Sequence, residues 1–199
     1  MSLTEILGFV TGAASVWLAA KDNVWNWPIG IANSVFFLFL FFTAGLYANS
    51  ALQIFYILIG FYGWYEWLRG GEAKTRLDIA RTPRSALPYL IGAVIAGTIV
   101  LIVVLDRLAG STAPIWDGLT TALSLVAQYM LARKWPENWW VWITADVVYI
   151  VLYAYTGLYL TSVLYVIFLM MCVLGYRHWA RTLQTTRQTV LEAGPAVSA

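Results

Sequence analysis

Asp146 carries the most telling chemistry of this chain, because its carboxylate is set in an otherwise apolar run. Trp139, Trp142, Tyr149 and Tyr153 share its spacing of three and four, so one helical face presents an acid between aromatic rings. Three other polar stripes stand in apolar surroundings: Asn33 and Ser34 behind Trp27-Pro28, then Asn49, Gln53 and Tyr56, then Asp117, Thr120, Thr121, Ser124 and Gln128. Carboxylates attract cations, aromatic faces stack on flat rings, and amides and hydroxyls pair with polar groups. That is the chemistry of holding a small polar molecule. The candidate contacts are Asn33, Asn49, Gln53, Tyr56, Thr121, Ser124, Gln128, Trp139, Trp142, Asp146 and Tyr149. Ser, Thr and Asn also join helices to one another, and for Thr120 and Ser124 that reading stands equally. Asp146 differs. It sits roughly 10 Å inside its run at 1.5 Å per residue. A charge in hydrocarbon costs about 2.5–3.5 kcal/mol on insertion scales. With no Lys or Arg at that depth, Asp146 points to a water-accessible cavity.

The parts for bond-making chemistry are missing. The one histidine, His178, ends an apolar run, and the one cysteine, Cys172, lies inside the same run with no second thiol. Lys21, Lys74 and Lys134 all fall outside the apolar runs, which excludes a retinal Schiff base. No His-Glu-x-x-His motif, no Ser/Lys or Ser/His pair at depth and no paired-aspartate motif occurs. No enzyme, cofactor, metal site or nucleic-acid partner is expected. A carrier is favoured, with a seven-helix sensor as the alternative from another class.

The elements that position these residues are membrane helices. The chain is 61% hydrophobic and 11% charged, with mean hydropathy +0.72. A soluble domain needs about a quarter of its residues charged, so lipid must be the solvent for most of this surface. Seven stretches suit a bilayer about 30 Å thick: 3–20, 27–46, 48–68, 85–105, 116–132, 139–155 and 158–178. The second and third, and the sixth and seventh, are so close that each pair must be a tight hairpin, around Tyr47 and Gly157. The opening segment lacks a basic n-region and is read as a retained span. Residues 69–84 read as a polar linker and 180–199 as a partly disordered tail. Lys21, Arg69, Lys74, Arg76, Arg81, Arg84, Arg133, Lys134, Arg177, Arg181 and Arg187 then lie on one side, and Arg107 alone on the other. The positive-inside rule puts the N-terminus outside and the C-terminus in the cytoplasm. Trp25, Trp27, Trp139 and Trp140, near the cytoplasmic span ends, are accounted for by an aromatic belt. Trp142 is deeper, on the face of Asp146.

Sliding the chain on itself by 112 residues superposes Glu5 on Asp117, Lys21 on Arg133, Trp27 on Trp139 and Gly45-Leu46-Tyr47 on Gly157-Leu158-Tyr159. The same shift places Gly63 on Gly175 and Trp67 on Trp179. Matched tryptophans and a matched hairpin are not what two arbitrary apolar helices would share. The repeat covers three spans, 1–68 and 116–179, and the intervening span 85–105 restores the starting side. The two halves are therefore parallel, an architecture of small-solute carriers with the site between the halves.

Several motifs resemble the PnuC family of bacterial vitamin transporters, over about residues 4–182. They are Trp27-Pro28-x-Gly30-x-x-Asn33, Gln53-x-x-Tyr56 with Gly63-Trp64 and Trp67, Asp117-x-x-Thr120-Thr121-x-x-Ser124, and Trp139-x-x-Trp142-x-x-x-Asp146. The resemblance implies an all-α, three-plus-one-plus-three bundle related to SWEET carriers, assembled as a homotrimer in the bacterial inner membrane. It implies facilitated diffusion of nicotinamide riboside, made one-way by a cytoplasmic riboside kinase. The sixth-span signature, with Asn or Asp at its last position, marks the nicotinamide riboside branch against thiamine and riboflavin branches. Asp at 146 would also draw a more strongly cationic vitamin. A flat pyridinium suits Trp142, Tyr149 and Tyr56, a carboxamide suits Asn33 and Gln53, and ribose hydroxyls suit Asp146.

Overall fold

The computed structural model describes residues 3–108 and 114–192. Seven α-helices run through them: α1 (Leu3–Ala20), α2 (Asn26–Thr43), α3 (Tyr47–Arg69), α4 (Leu87–Leu108), α5 (Pro114–Ala132), α6 (Asn138–Tyr155) and α7 (Tyr159–Glu192). No strand occurs among the described residues. By length and composition alone, Asn26–Thr43, Leu87–Arg107 and Tyr159–Thr186 suffice to cross a membrane, and Leu7–Ala20 is apolar but shorter.

The tight hairpins form for a local reason. Gly45 and Gly157 end α2 and α6 with φ of 74° and 78°, a left-handed conformation that favours glycine. The next residue closes the cap: the Leu46 N–H donates to the Phe41 carbonyl at 2.9 Å, and Leu158 N–H to Tyr153 at 2.8 Å. On the other side of each hairpin the Ser50 hydroxyl donates to the Leu38 carbonyl and the Ser162 hydroxyl to Ile150, both at 3.0 Å.

Six helices close a ring through the neighbours α1–α2, α2–α3, α3–α5, α5–α6, α6–α7 and α7–α1, while α4 packs on α5 outside it. The two seams where the ring passes from one three-helix unit to the other are built alike. The Trp67 indole N–H donates to the Leu131 carbonyl at 3.1 Å, and Trp179 to Ala19 at 3.2 Å. Each donor and each acceptor is 112 residues from its counterpart. Trp27 meets Trp67 edge-on with centroids 5.5 Å apart, and Trp139 meets Trp179 edge-on at 5.5 Å. The close approach of α2 to α3 and of α6 to α7 uses Gly63 and Gly175, where a Cβ would collide with the rings of Trp27 and Trp139.

These contacts concentrate the buried core at one end of the ring, here called the linker end. Trp27 and Trp139 are 2% and 1% exposed, which overturns the belt explanation for both. They are core residues wedged against glycines, whereas Trp25 and Trp140 are 63% and 53% exposed and remain compatible with a belt. Residues 70–86 cross this end as a strap. The Leu77 N–H donates to the Trp67 carbonyl at 3.3 Å and Ala80 N–H to Lys134 at 3.3 Å. Arg76 pairs with Asp22 at 2.9 Å, and Thr82 donates its hydroxyl to Glu137 at 2.7 Å. Beneath the strap the Lys134 ammonium, 1% exposed, lies 2.7 Å from Asp22 and 4.5 Å from the centre of the Trp67 ring. Burial lowers its pKa below the ordinary lysine value, against the opposing pull of Asp22.

Two expectations meet a different outcome or fall outside view. Where a partly disordered tail was expected from residue 180, α7 continues unbroken to Glu192. Thr182, Thr185, Thr186 and Thr189 there return their hydroxyls to the carbonyls four residues back, so polar side chains are satisfied along the helix itself. The side chain of Glu5, matched to Asp117 by the repeat, lies outside the described residues, as does the remainder of the tail beyond 192.

Candidate substrate-binding site

A cavity of 420 Å³ lies inside the ring, within the range of small-molecule sites. Every ring helix contributes: Gly12 and Ser15 from α1, Gly30, Asn33 and Ser34 from α2, Gln53 and Tyr56 from α3, Ser124 and Gln128 from α5, Trp139, Trp142, Asp146 and Tyr149 from α6, Tyr165 and Cys172 from α7. The floor toward the linker end is Ala19, Leu131, Trp27 and Trp139.

Of the eleven candidate residues, the cavity brings together Asn33, Gln53, Tyr56, Ser124, Gln128, Trp139, Trp142, Asp146 and Tyr149. It does not include Asn49 or Thr121. Asn49 is exposed in the first turn of α3, and Thr121 is half-buried one turn before Ser124. Sequence reasoning left Ser15, Tyr165 and Cys172 out of the stripes, and it named Ser34 in a stripe without making it a candidate contact. A usable signal existed: a shift of 112 carries Gln53 onto Tyr165 and Asp146 back onto Ser34, so the repeat pointed to both.

Asp146 is 5% exposed. The Cys172 thiol donates to its Oδ2 at 3.5 Å, a weak donor for a carboxylate. Among the described residues no Lys, Arg or His lines the cavity, so none of them balances this acid from the walls. Opposite, the Asn33 amide donates to the Gly8 carbonyl at 3.0 Å and to the Thr11 hydroxyl at 2.6 Å. Those bonds orient Asn33 and turn its carbonyl oxygen into the group free to accept. Tyr149, Tyr153 and Tyr165 form one aromatic stack, with Tyr149 and Tyr165 centroids 4.6 Å apart. The arrangement offers an anion, a wall of rings and a few amides and hydroxyls, suited to holding a flat, polar, electropositive solute.

The fold and cavity suit a carrier of small solutes, and the characterised proteins that this chain resembles are transporters. The profile of the family described as "Nicotinamide mononucleotide transporter" matches residues 2–181. The nicotinamide riboside transporter PnuC of Escherichia coli (strain K12) is 29% identical over 205 residues, covering 90% of this chain and 85% of that protein. The riboflavin/roseoflavin transporter RibM of Streptomyces davaonensis is 24% identical, covering 97% and 92%. A solved structure, "Crystal structure of the Vitamin B3 transporter PnuC", superposes with a TM-score of 0.67 at 26% identity, covering 90% of this chain and 81% of that one. The chain belongs to the PnuC family of transporters.

Proposed function

We propose that this protein carries nicotinamide riboside across the bacterial inner membrane by facilitated diffusion. The observation that carries the reading is the uncompensated carboxylate of Asp146 beside Trp142 in the cavity, matched to a flat cationic pyridinium. All seven helices span the bilayer as two parallel three-helix halves joined by α4, in the manner of SWEET carriers. Helices α3, α5 and α6 each turn some of their polar residues inward to the cavity. The N-terminus is outside and the linker end faces the cytoplasm, where the basic residues gather. Access alternates as the halves rock about the seams, a cytoplasmic riboside kinase traps the product, and the protein works as a homotrimer.

Riboflavin transport is the second reading, supported by the RibM relative. Calorimetric titration of the purified protein with nicotinamide riboside, riboflavin, thiamine and nicotinamide mononucleotide separates them. The riboside should bind, and the mononucleotide should bind poorly because its phosphate would face Asp146 with no basic side chain on the walls among the described residues. Tight riboflavin or thiamine binding without the riboside would overturn the substrate. Entry of labelled riboside into sealed liposomes tests the carrier step. Uptake driven by an imposed proton or sodium gradient alone would defeat facilitated diffusion.

A further inference from the structure

The seams between the two halves match in their tryptophans but not in their charges. At the α3–α5 seam, the Arg133 guanidinium donates to the Glu66 carboxylate at 2.9 Å. The counterparts 112 residues away are Lys21, just after α1, and His178 on α7. The α7–α1 seam therefore carries two bases where the other seam carries a base and an acid. A recess of 390 Å³ lies at this place, lined by Lys21, Asp22, Asn23, Arg76, His178 and Thr182, with Val24 as its apolar member. Its one carboxylate is already committed: Asp22 Oδ1 is 2.7 Å from the Lys134 ammonium and Oδ2 is 2.9 Å from Arg76. Among the described residues neither Lys21 nor His178 has an ion-pair partner. The Lys21 ammonium rests over the Trp17 ring at 5.0 Å.

We propose that this recess is an anion site for a phosphate group, which supplies at the α7–α1 seam the acid that Glu66 supplies at the α3–α5 seam. An ammonium, a guanidinium and an imidazole reach it from three elements, and the Asn23 amide adds a neutral donor, the Thr182 hydroxyl being given to the His178 carbonyl. A tetrahedral group with several acceptor oxygens satisfies donors spread in this way, which a single carboxylate does not. Bound there, the group ties the α1–α2 turn and the strap to α7. The site is separate from the substrate cavity and shares no lining residue with it. One consequence rests on the carrier reading above: occupancy holds the linker end together and slows exchange of the solute.

Dissolved phosphate, including phosphate monoesters, and anionic lipid headgroups present the same chemistry, and the test distinguishes them. The full chain, in nanodiscs of phosphatidylcholine, is melted in sodium phosphate and in sodium chloride at matched ionic strength, with no vitamin present. Phosphate should raise the melting temperature saturably in the wild type. The rise should vanish in Lys21→Gln and in His178→Glu and persist in Glu66→Gln. His178→Glu should itself melt no lower than wild type in chloride, because it completes an acid–base pair with Lys21. If phosphatidylglycerol in the disc produces the rise in the wild type alone and abolishes the phosphate response, the occupant is a lipid headgroup. If the phosphate response survives phosphatidylglycerol, it is a dissolved anion. An equal response in wild type, Lys21→Gln and His178→Glu, or no response to either source, overturns the site. Because no solute is transported, failure here leaves the carrier assignment untouched.

Discussion

At the linker end the halves are nearly copies: Trp27 and Trp139, Gly63 and Gly175, Trp67 and Trp179 occupy matching places and make matching bonds. In the cavity, positions still correspond but residue types part company. Gly30 faces Trp142, Ser34 faces Asp146, Phe37 faces Tyr149, Gln53 faces Tyr165 and Gly60 faces Cys172, and all ten line the same cavity. The difference assigns separate tasks to the two regions. Tight, like-for-like packing keeps two units on a common geometry, so substitution there is paid in stability. On the proposed function the cavity receives an asymmetric solute, so each half supplies different groups, and substitution there should change affinity and leave the fold intact.

The largest expected effect breaks the likeness at a charged exception that is itself buried. Asp22 and Lys134 are repeat counterparts, both with φ near 50°, yet they carry opposite charges and pair with each other. Lys134→Ala leaves Asp22 with Arg76 alone and removes a buried ammonium from the Trp67 face, a loss of about 3–5 kcal/mol for breaking a buried pair. Asp22→Asn should cost a similar amount, whereas Asp22→Leu with Lys134→Met should recover most of it. Denaturant melts of the three variants decide this, and additive losses would remove the pair from the scaffold. The pair also sets a pH dependence. The folded state binds the Lys134 proton more weakly than the unfolded chain does. Between that lowered value and about 10.4 the unfolded state holds more protons, so this residue makes stability rise with pH. Lys134→Met should flatten the rise.

A sharper measure of the likeness comes from the seams. Trp67→Phe and Trp179→Phe each remove an indole N–H and leave a buried carbonyl, Leu131 or Ala19, without that donor. Each carbonyl keeps one backbone donor, the Lys134 or Asp22 N–H, so each change should cost about 0.5–1.5 kcal/mol, and the two costs should agree within roughly 0.5 kcal/mol. Riboside affinity should stay near wild type in both. Unequal costs would mean that the two seams are alike in geometry only.

Much of this scaffold was legible in the chain, for definite reasons. The Gly-Leu-Tyr hairpins announce themselves because a left-handed residue admits few types, and the paired tryptophans because large rings need glycine opposite. The stripes revealed most of the cavity's polar lining, since spacing of three and four puts residues on one helical face. Periodicity does not say where along a helix the cavity ends, which is how Asn49 entered the candidate set. Nor does it distinguish a tryptophan at a lipid interface from one in a core, as at Trp27 and Trp139. The strap was beyond local reading altogether: Arg76 meets Asp22 across 54 residues and Thr82 meets Glu137 across 55. Its amide donors and charged ends acquire partners only when the halves are assembled.

In the cavity the expected effects are on binding and differ between halves. Gln53→Ala should weaken riboside binding by about 1–3 kcal/mol if it leaves a partner unpaired. Trp142→Ala should weaken it by roughly 0.5–2 kcal/mol through lost stacking and cation–π attraction. Asp146→Asn keeps the shape and an acceptor oxygen. A modest loss places the acid at the ribose, and a loss as large as that of Gln53→Ala places it at the pyridinium charge. Calorimetry on each variant, with melting temperature as a control, checks that affinity and stability separate as the comparison requires.

The smallest effect is the most discriminating between a site drawn from spacing and one drawn from geometry. Asn49 shares the α3 stripe with Gln53 and Tyr56, yet it is exposed at the hairpin end and absent from the cavity wall. Thr121 lies one turn before Ser124 but is not among the residues that line the cavity. Asn49→Ala and Thr121→Ala should each change riboside affinity by less than about 0.5 kcal/mol, the usual range for substitutions away from a special feature. Tyr165→Ala, outside every polar stripe of the sequence, should weaken binding more than either, because it removes a ring from the stack with Tyr149 and Tyr153. A loss at Asn49 that matched Gln53→Ala would place the solute higher, toward the hairpins. The cavity seen between the halves would then be one station on its path and not the place where it is recognised.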